Sequence, residues 1–209
     1  MLIEIIAAYS VPMCAVLIFA NTHNTWKWVF VPWVWIMVPL GVSHFRNIDL
    51  EALGITLGSW KRSFSAIGAA TVFLFALCIP LFYLYFRLCG YAIKEIRLPQ
   101  EFWTLMLFHL CAVALPEEFF FRGYLQQRIK AVRGIHSGAV FPVFASALLF
   151  SIAHVILAPS PIAVLTFFPA LCFGALREYT GSLAAPVLFH WECNLVWIVL
   201  LQSMSLPVT

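Results

Sequence analysis

Charged side chains are scarce in this sequence: Asp, Glu, Lys and Arg together make up 10% of its 209 residues, while 63% are hydrophobic. A water-soluble domain of this size carries far more polar surface, so that class is excluded and a polytopic membrane protein is expected. The mean hydropathy of +0.96 agrees. The six cysteines (Cys14, Cys78, Cys89, Cys111, Cys172 and Cys193) form no CxxC pair and fall almost entirely in apolar runs. They are expected to be small buried hydrophobes. Basic residues are spread over several loops without a block, and the net charge is only +3. No nucleic-acid partner is therefore expected. Internal repeats, low-complexity tracts and linkers are also missing, which leaves a single integral membrane domain over residues 1–209.

What fills the sequence instead is a series of apolar segments. A bilayer core about 30 Å thick takes roughly 20 apolar residues per helix. Charged or Pro/Gly-rich breaks delimit spans near 2–20, 25–43, 65–88, 102–127, 138–157, 162–176 and 182–203. The expectation is an all-α bundle of about seven, and six to eight, transmembrane helices. The first segment lacks a basic start and carries Glu4, so it reads as a retained span and not as a cleaved signal peptide. Residues 46–63, with Asp49, Glu51, Lys61 and Arg62, read as an interfacial loop. Trp26, Trp28, Trp33, Trp35 and Trp60 fit an aromatic belt at the lipid headgroups. Counting Arg122 with its helix end, eight of the twelve Lys and Arg lie in the loops that face the cytoplasm if the N-terminus does. By the positive-inside rule this places the N-terminus in the cytoplasm and the C-terminus outside.

An ionisable residue inside a span costs about 2.5 to 3.5 kcal/mol on insertion scales, so such residues mark cavities or partners. They cluster in three places. The first is Ala114-Leu-Pro-Glu-Glu-Phe-Phe-Phe-Arg-Gly123. Here Glu118 and Arg122 are i, i+4 and share a helical face, while Glu117 points about 100° away. Arg122 is expected to neutralise Glu118 and leave Glu117 free for chemistry. Pro116, just before them, is expected to open a new helical turn. The local dipole then favours ionised carboxylates and apolar surroundings favour neutral ones. The second cluster is Phe150-Ser-Ile-Ala-His154, and the third is His190-Trp-Glu-Cys-Asn194, whose His190 and Asn194 again share a face. Pro186, four residues earlier, is expected to distort that helix.

A hydrolytic site needs a base for water, a group that shares the proton, and donors for the oxyanion. Glu117 with His154 supplies the first two, and His190 with Asn194 the donors, without a covalent intermediate. Glu4, His109 and Glu178 have no motif partner, and His23, His44 and His136 fall in loops, so lipid headgroups or solvent are expected to satisfy all six. Glu192 lies roughly 200° around the helix from His190, facing a neighbouring helix or Arg177, and is not expected to be catalytic.

At these residues the sequence resembles the CPBP family of membrane glutamic proteases, which comprises CAAX proteases and bacteriocin-processing enzymes and is also called the ABI family. Glu117-Glu118-Phe-Phe-Phe-Arg122 looks like its EExxxR motif, Phe150 to His154 like FxxxH, and His190 to Asn194 like HxxxN. The stretch Gly174 to Pro186 is similar to the family's approach to the third motif, and the resemblance covers about Glu101 to Ile198. It implies a metal-independent and cofactor-free endopeptidase. Glu117 and His154 take the positions that activate water, His190 and Asn194 those that stabilise the oxyanion, and Glu118 and Arg122 those that support the site. It further implies a membrane-associated protein or peptide substrate and, given a chain of prokaryotic size, a prokaryotic cytoplasmic membrane. Prokaryotic relatives generally lack a prenylated CAAX substrate, and the roles implied are removal of C-terminal hydrophobic sorting anchors, bacteriocin maturation or self-immunity, and regulated cleavage of a membrane protein, with C-terminal processing preferred. Two other readings compete. A zinc protease fits two histidines and a glutamate, but the sequence has no HExxH and Asn194 is a poor zinc ligand. A non-catalytic bacteriocin-immunity protein, transporter or scaffold would use the same cluster for binding or packing.

Overall fold

The computed structural model describes residues 1–20, 27–49, 51–56, 58–93, 95–132 and 138–205. Among them are seven long helical segments: α1 (Leu2–Ala20), α2 (Lys27–Arg46), α3 (Trp60–Leu88), α4 (Phe102–Lys130), α5 (Val140–Leu157), α6 (Ile162–Thr180) and α7 (Ala184–Ser203). Five of these, α3 to α7, are long and apolar enough to cross a membrane, and Leu2–Ile18 is a shorter apolar helix. The fold is an all-helical polytopic bundle, as the hydropathy pattern predicts. Two short strands, β1 (Ala92–Ile93) and β2 (Met204–Ser205), pair antiparallel and tie the segment after α3 to the end of α7.

Helix α3 begins five residues before the apolar run. Ser59 caps it, its side chain accepting from the Arg62 amide, and Lys61 and Arg62 extend the helix with long basic side chains that reach past the apolar zone. The rest of the interfacial segment turns inward. Leu53 is buried in the core, the Leu183 amide donates to the Gly54 carbonyl at 3.1 Å, and Arg177 donates to the Ala52 carbonyl at 3.1 Å. Gly54 adopts φ +89°, and a Cβ there would stand 2.7 Å from the Arg177 guanidinium, so only glycine fits.

Helix α4 is the centre of the bundle and packs against α2, α5, α6 and α7. Its inward residues Phe120, Phe121, Tyr124 and Leu125 form the core with Phe150, Phe173 and Phe189. Trp35 belongs to this core as well: it packs on Phe120 and Phe121 at 4.6 and 5.3 Å between ring centroids. The expected belt position is thus wrong for Trp35, because an inward-facing tryptophan on a helix carries the same sequence signal as an outward-facing one. Trp33 and Trp60 are exposed, whereas Trp26 and the Trp28 side chain lie outside the described residues. A Cβ on Gly123 would meet the Leu53 carbonyl oxygen at 2.8 Å. Gly123→Ala must push that segment away from α4, and a loss of about 1 to 3 kcal/mol is expected in thermal unfolding of the detergent-solubilised protein.

Two of the polar residues without motif partners, Glu4 and Glu178, are held by protein. Glu4 pairs with Arg46 at 3.0 Å and Arg128 at 2.8 Å and accepts from the Tyr124 hydroxyl, joining α1, α2 and α4. Glu178 pairs with Lys130 and accepts from Gln126 and Gln127. His44 is in the last turn of α2, not in a loop, while His23 and His136 fall outside the described residues. All six cysteines are free, but Cys14, Cys89 and Cys111 are on the surface of the bundle. An apolar run in a membrane helix can face lipid, so its cysteines need not be buried in protein.

Candidate active site

Pro116 does not break α4. Ala114 and Leu115 keep helical dihedrals, and the chain instead widens into π-helical turns at His109–Ala114 and Phe119–Leu125, on either side of the α-turn Leu115–Glu118. No free helix N-terminus faces the two glutamates, so the expected dipole support is missing and side chains must supply it. Pro186 is likewise less disruptive than expected: it sits in the first turn of α7, where its missing N–H leaves no intrahelical bond unmade.

Glu118 and Arg122 are fully buried and bonded at 2.8 Å. The same carboxylate oxygen accepts from His190 Nδ1, also at 2.8 Å, so α4 and α7 meet through Glu118. Arg122 donates from its other terminal nitrogen to the Ala170 carbonyl on α6 at 3.1 Å. Its guanidinium lies 4.5 Å from the Phe150 ring and 5.0 Å from the Phe173 ring, an arrangement that favours a cation held away from water. Phe173 also stacks on His190 at 4.8 Å and 16° between planes. Phe150 presents an edge to His190 and packs on His154 at 4.3 Å. The two phenyl rings therefore bind the three sequence clusters into one unit.

Glu117 is on the adjacent face and partly accessible. Its Oε2 stands 3.9 Å from His190 Nε2 and has no hydrogen-bond partner in the protein. A gap of that size accommodates a bridging water. His154, on α5, has its Nδ1 3.0 Å from the Phe150 carbonyl. A carbonyl only accepts, so Nδ1 carries the proton and Nε2 is the ring's acceptor when neutral. Among the described residues Glu117 and His154 share no direct hydrogen bond or ion pair. Asn194, one turn beyond His190, has a buried Nδ2 with no partner. His154, His190 and Asn194 all line a largely apolar cavity of about 480 Å³ between α3, α4, α5, α6 and α7.

Glu192 is turned away from this cluster and accepts from the Thr71 hydroxyl on α3 at 2.9 Å. Arg177 lies elsewhere, as described for the inward-turned segment. The residue that sequence reasoning set aside is His109, which lines the same cavity. Among the described residues, no three His, Cys, Asp or Glu side chains converge on a point that could hold a metal ion.

Residues 99–196 match the family described as Rce1-like, the type II CAAX prenyl endopeptidases. Over these residues the chain is similar to the CAAX proteases. The match spans α4 through most of α7 and includes all three sequence clusters, agreeing with the resemblance drawn from the motifs. This similarity, together with five apolar helices, supports an intramembrane peptidase in an integral membrane protein. No curated protein and no solved structure matches the chain.

Proposed function

We propose that the protein is a glutamic-type intramembrane endopeptidase. The observation that carries the reading is the convergence at His190: Glu117 Oε2 stands 3.9 Å from its Nε2, Glu118 accepts from its Nδ1, and Asn194 follows one turn later, with Glu117 Oε2 and Asn194 Nδ2 lacking a partner among the described residues. Leaving such atoms unpaired costs about 1 to 3 kcal/mol each, a cost that a reacting water and a substrate carbonyl remove.

In the proposed reaction Glu117, with His154 as second acceptor, takes a proton from water as the water oxygen bonds to the carbonyl carbon. The oxyanion receives hydrogen bonds from Asn194 Nδ2 and His190 Nε2. Because His190 Nδ1 already donates to Glu118, a second donation requires the imidazolium, whose charge is balanced by the carboxylates of Glu117 and Glu118. The tetrahedral intermediate then breaks its C–N bond, and the proton held at Glu117 passes to the leaving nitrogen. Glu118 and Arg122 position His190 and touch no reacting atom. No cofactor or covalent intermediate enters the scheme.

The substrate is a membrane-associated protein or peptide, taken in extended form into the apolar cavity, and the preferred reaction is removal of a C-terminal hydrophobic segment. The protein acts as one integral membrane domain with its N-terminus in the cytoplasm, in a prokaryotic cytoplasmic membrane. Mass spectrometry of membrane-protein termini, comparing cells that carry the active protein with cells that carry Glu117→Gln, tests this directly. At least one C-terminus is expected to appear shortened only with the active form; identical termini under all growth conditions would remove the proteolytic reading.

A further inference from the structure

His109 opens the first π-helical turn of α4, eight residues before Glu117. Eight residues along a regular α-helix leave a side chain about 80° from its starting face. A π-bulge takes up one extra residue, so the separation is equivalent to seven α-helical steps, and the two side chains come to within about 20° of one face. The widened turn thus brings the His109 imidazole toward the side of α4 that carries the Glu117 carboxylate.

Three further observations bear on what that imidazole does. It lines the cavity that also receives His154, His190 and Asn194. It lies within electrostatic reach of His190. Its Nδ1 is buried without a hydrogen-bond partner, a condition shared in this cavity by Asn194 Nδ2. Of the other polar groups at the wall, Ser160 caps the start of α6 by accepting from the Ala163 amide, Thr166 donates to the Ala163 carbonyl, and His154 and His190 belong to the proposed catalytic set. In a largely apolar cavity, the chemistry that matches one imidazole and one carboxamide is the amide backbone of an extended peptide with apolar side chains.

We propose that His109 is a substrate-binding residue whose imidazole hydrogen-bonds the backbone of the extended peptide in this cavity. The assignment rests on the endopeptidase reading. In contrast to Glu117, it acts on ground state and transition state alike, so its removal weakens binding and leaves the chemical step intact.

The test uses the full chain in detergent micelles and, as probe, a synthetic peptide spanning the terminus whose processing requires Glu117. His109→Leu and His109→Phe, the second of which keeps the ring, are each expected to raise KM about tenfold with kcat within about twofold of wild type. At least one of His109→Asn and His109→Gln, which place an amide near one or other ring nitrogen, is expected to return KM to within about threefold. Wild-type KM in the apolar variants would overturn the proposal. An equal KM rise in all four, or a fall in kcat with KM unchanged, would overturn it in favour of a shape or proton-transfer role. Wild type and Glu117→Gln run in parallel separate the two levels of inference. A wild type that cuts no better than Glu117→Gln removes the endopeptidase reading and this one with it. A wild type that cuts, matched by the apolar variants, removes only the role of His109.

Discussion

Arg122→Leu is expected to destabilise the protein by about 3 to 5 kcal/mol, because it strands the Glu118 carboxylate at a site with no access to water. Both side chains are fully buried and bonded at 2.8 Å, and the guanidinium also bridges α4 to the Ala170 carbonyl of α6 while filling the space between Phe150 and Phe173. Loss of the charge, the bridge and the packing all act in the same direction. Thermal unfolding in detergent measures the effect. A double variant that also carries Glu118→Leu is expected to recover part of it, since two matched apolar side chains leave no lone charge. If Arg122→Leu melted with wild type, the ion pair would not be a structural element of this bundle.

Glu117→Gln is expected to behave in the opposite way, lowering kcat by about 10² to 10⁴ with little change in melting temperature. Its carboxylate makes no hydrogen bond in the protein and is partly accessible, so the isosteric amide disturbs nothing that holds helices together. It does remove the group proposed to accept the water proton. Glu118→Gln, one residue away, is expected to lose stability as well as activity, because the same oxygen joins Arg122 and His190. Two adjacent glutamates that separate in this manner, one kinetic and one structural, would support the proposed division between them. Equal melting losses from both substitutions would contradict it.

The helices were legible because a membrane segment must keep about 20 apolar residues together, and no later packing event erases that signal. Their ends were less so: Lys61 and Arg62 look like loop residues but continue α3. The clusters around Glu117, His154 and His190 were visible because an ionisable group within an apolar run is costly and therefore informative. The i, i+4 spacing of Glu118 and Arg122 anticipated their bond, but nothing in that spacing points to His190, which reaches the same oxygen from another helix. His109 was hidden by a backbone effect. On α-helical spacing it stands about 80° around the helix from Glu117, and the π-turn closes most of that angle. Trp35 was misread for a third reason, since a tryptophan near a span end has the same local sequence whether it meets headgroups or the Phe120 and Phe121 rings.

One wall of the cavity has a length that its neighbours do not share. Helix α3 has 29 residues and α5 has 18, about 44 Å against about 27 Å at 1.5 Å per residue. A helix much longer than the hydrocarbon thickness accommodates by tilting or by thickening the bilayer around it, whereas α5 is close to matched. Little of α3 is buried inside the protein, and it is held to α7 by the Thr71–Glu192 hydrogen bond and by Phe82 and Phe86 packing on Trp197. Acyl-chain length is therefore expected to act on the cavity between α3 and α6, which KM measured in bilayers of different thickness checks.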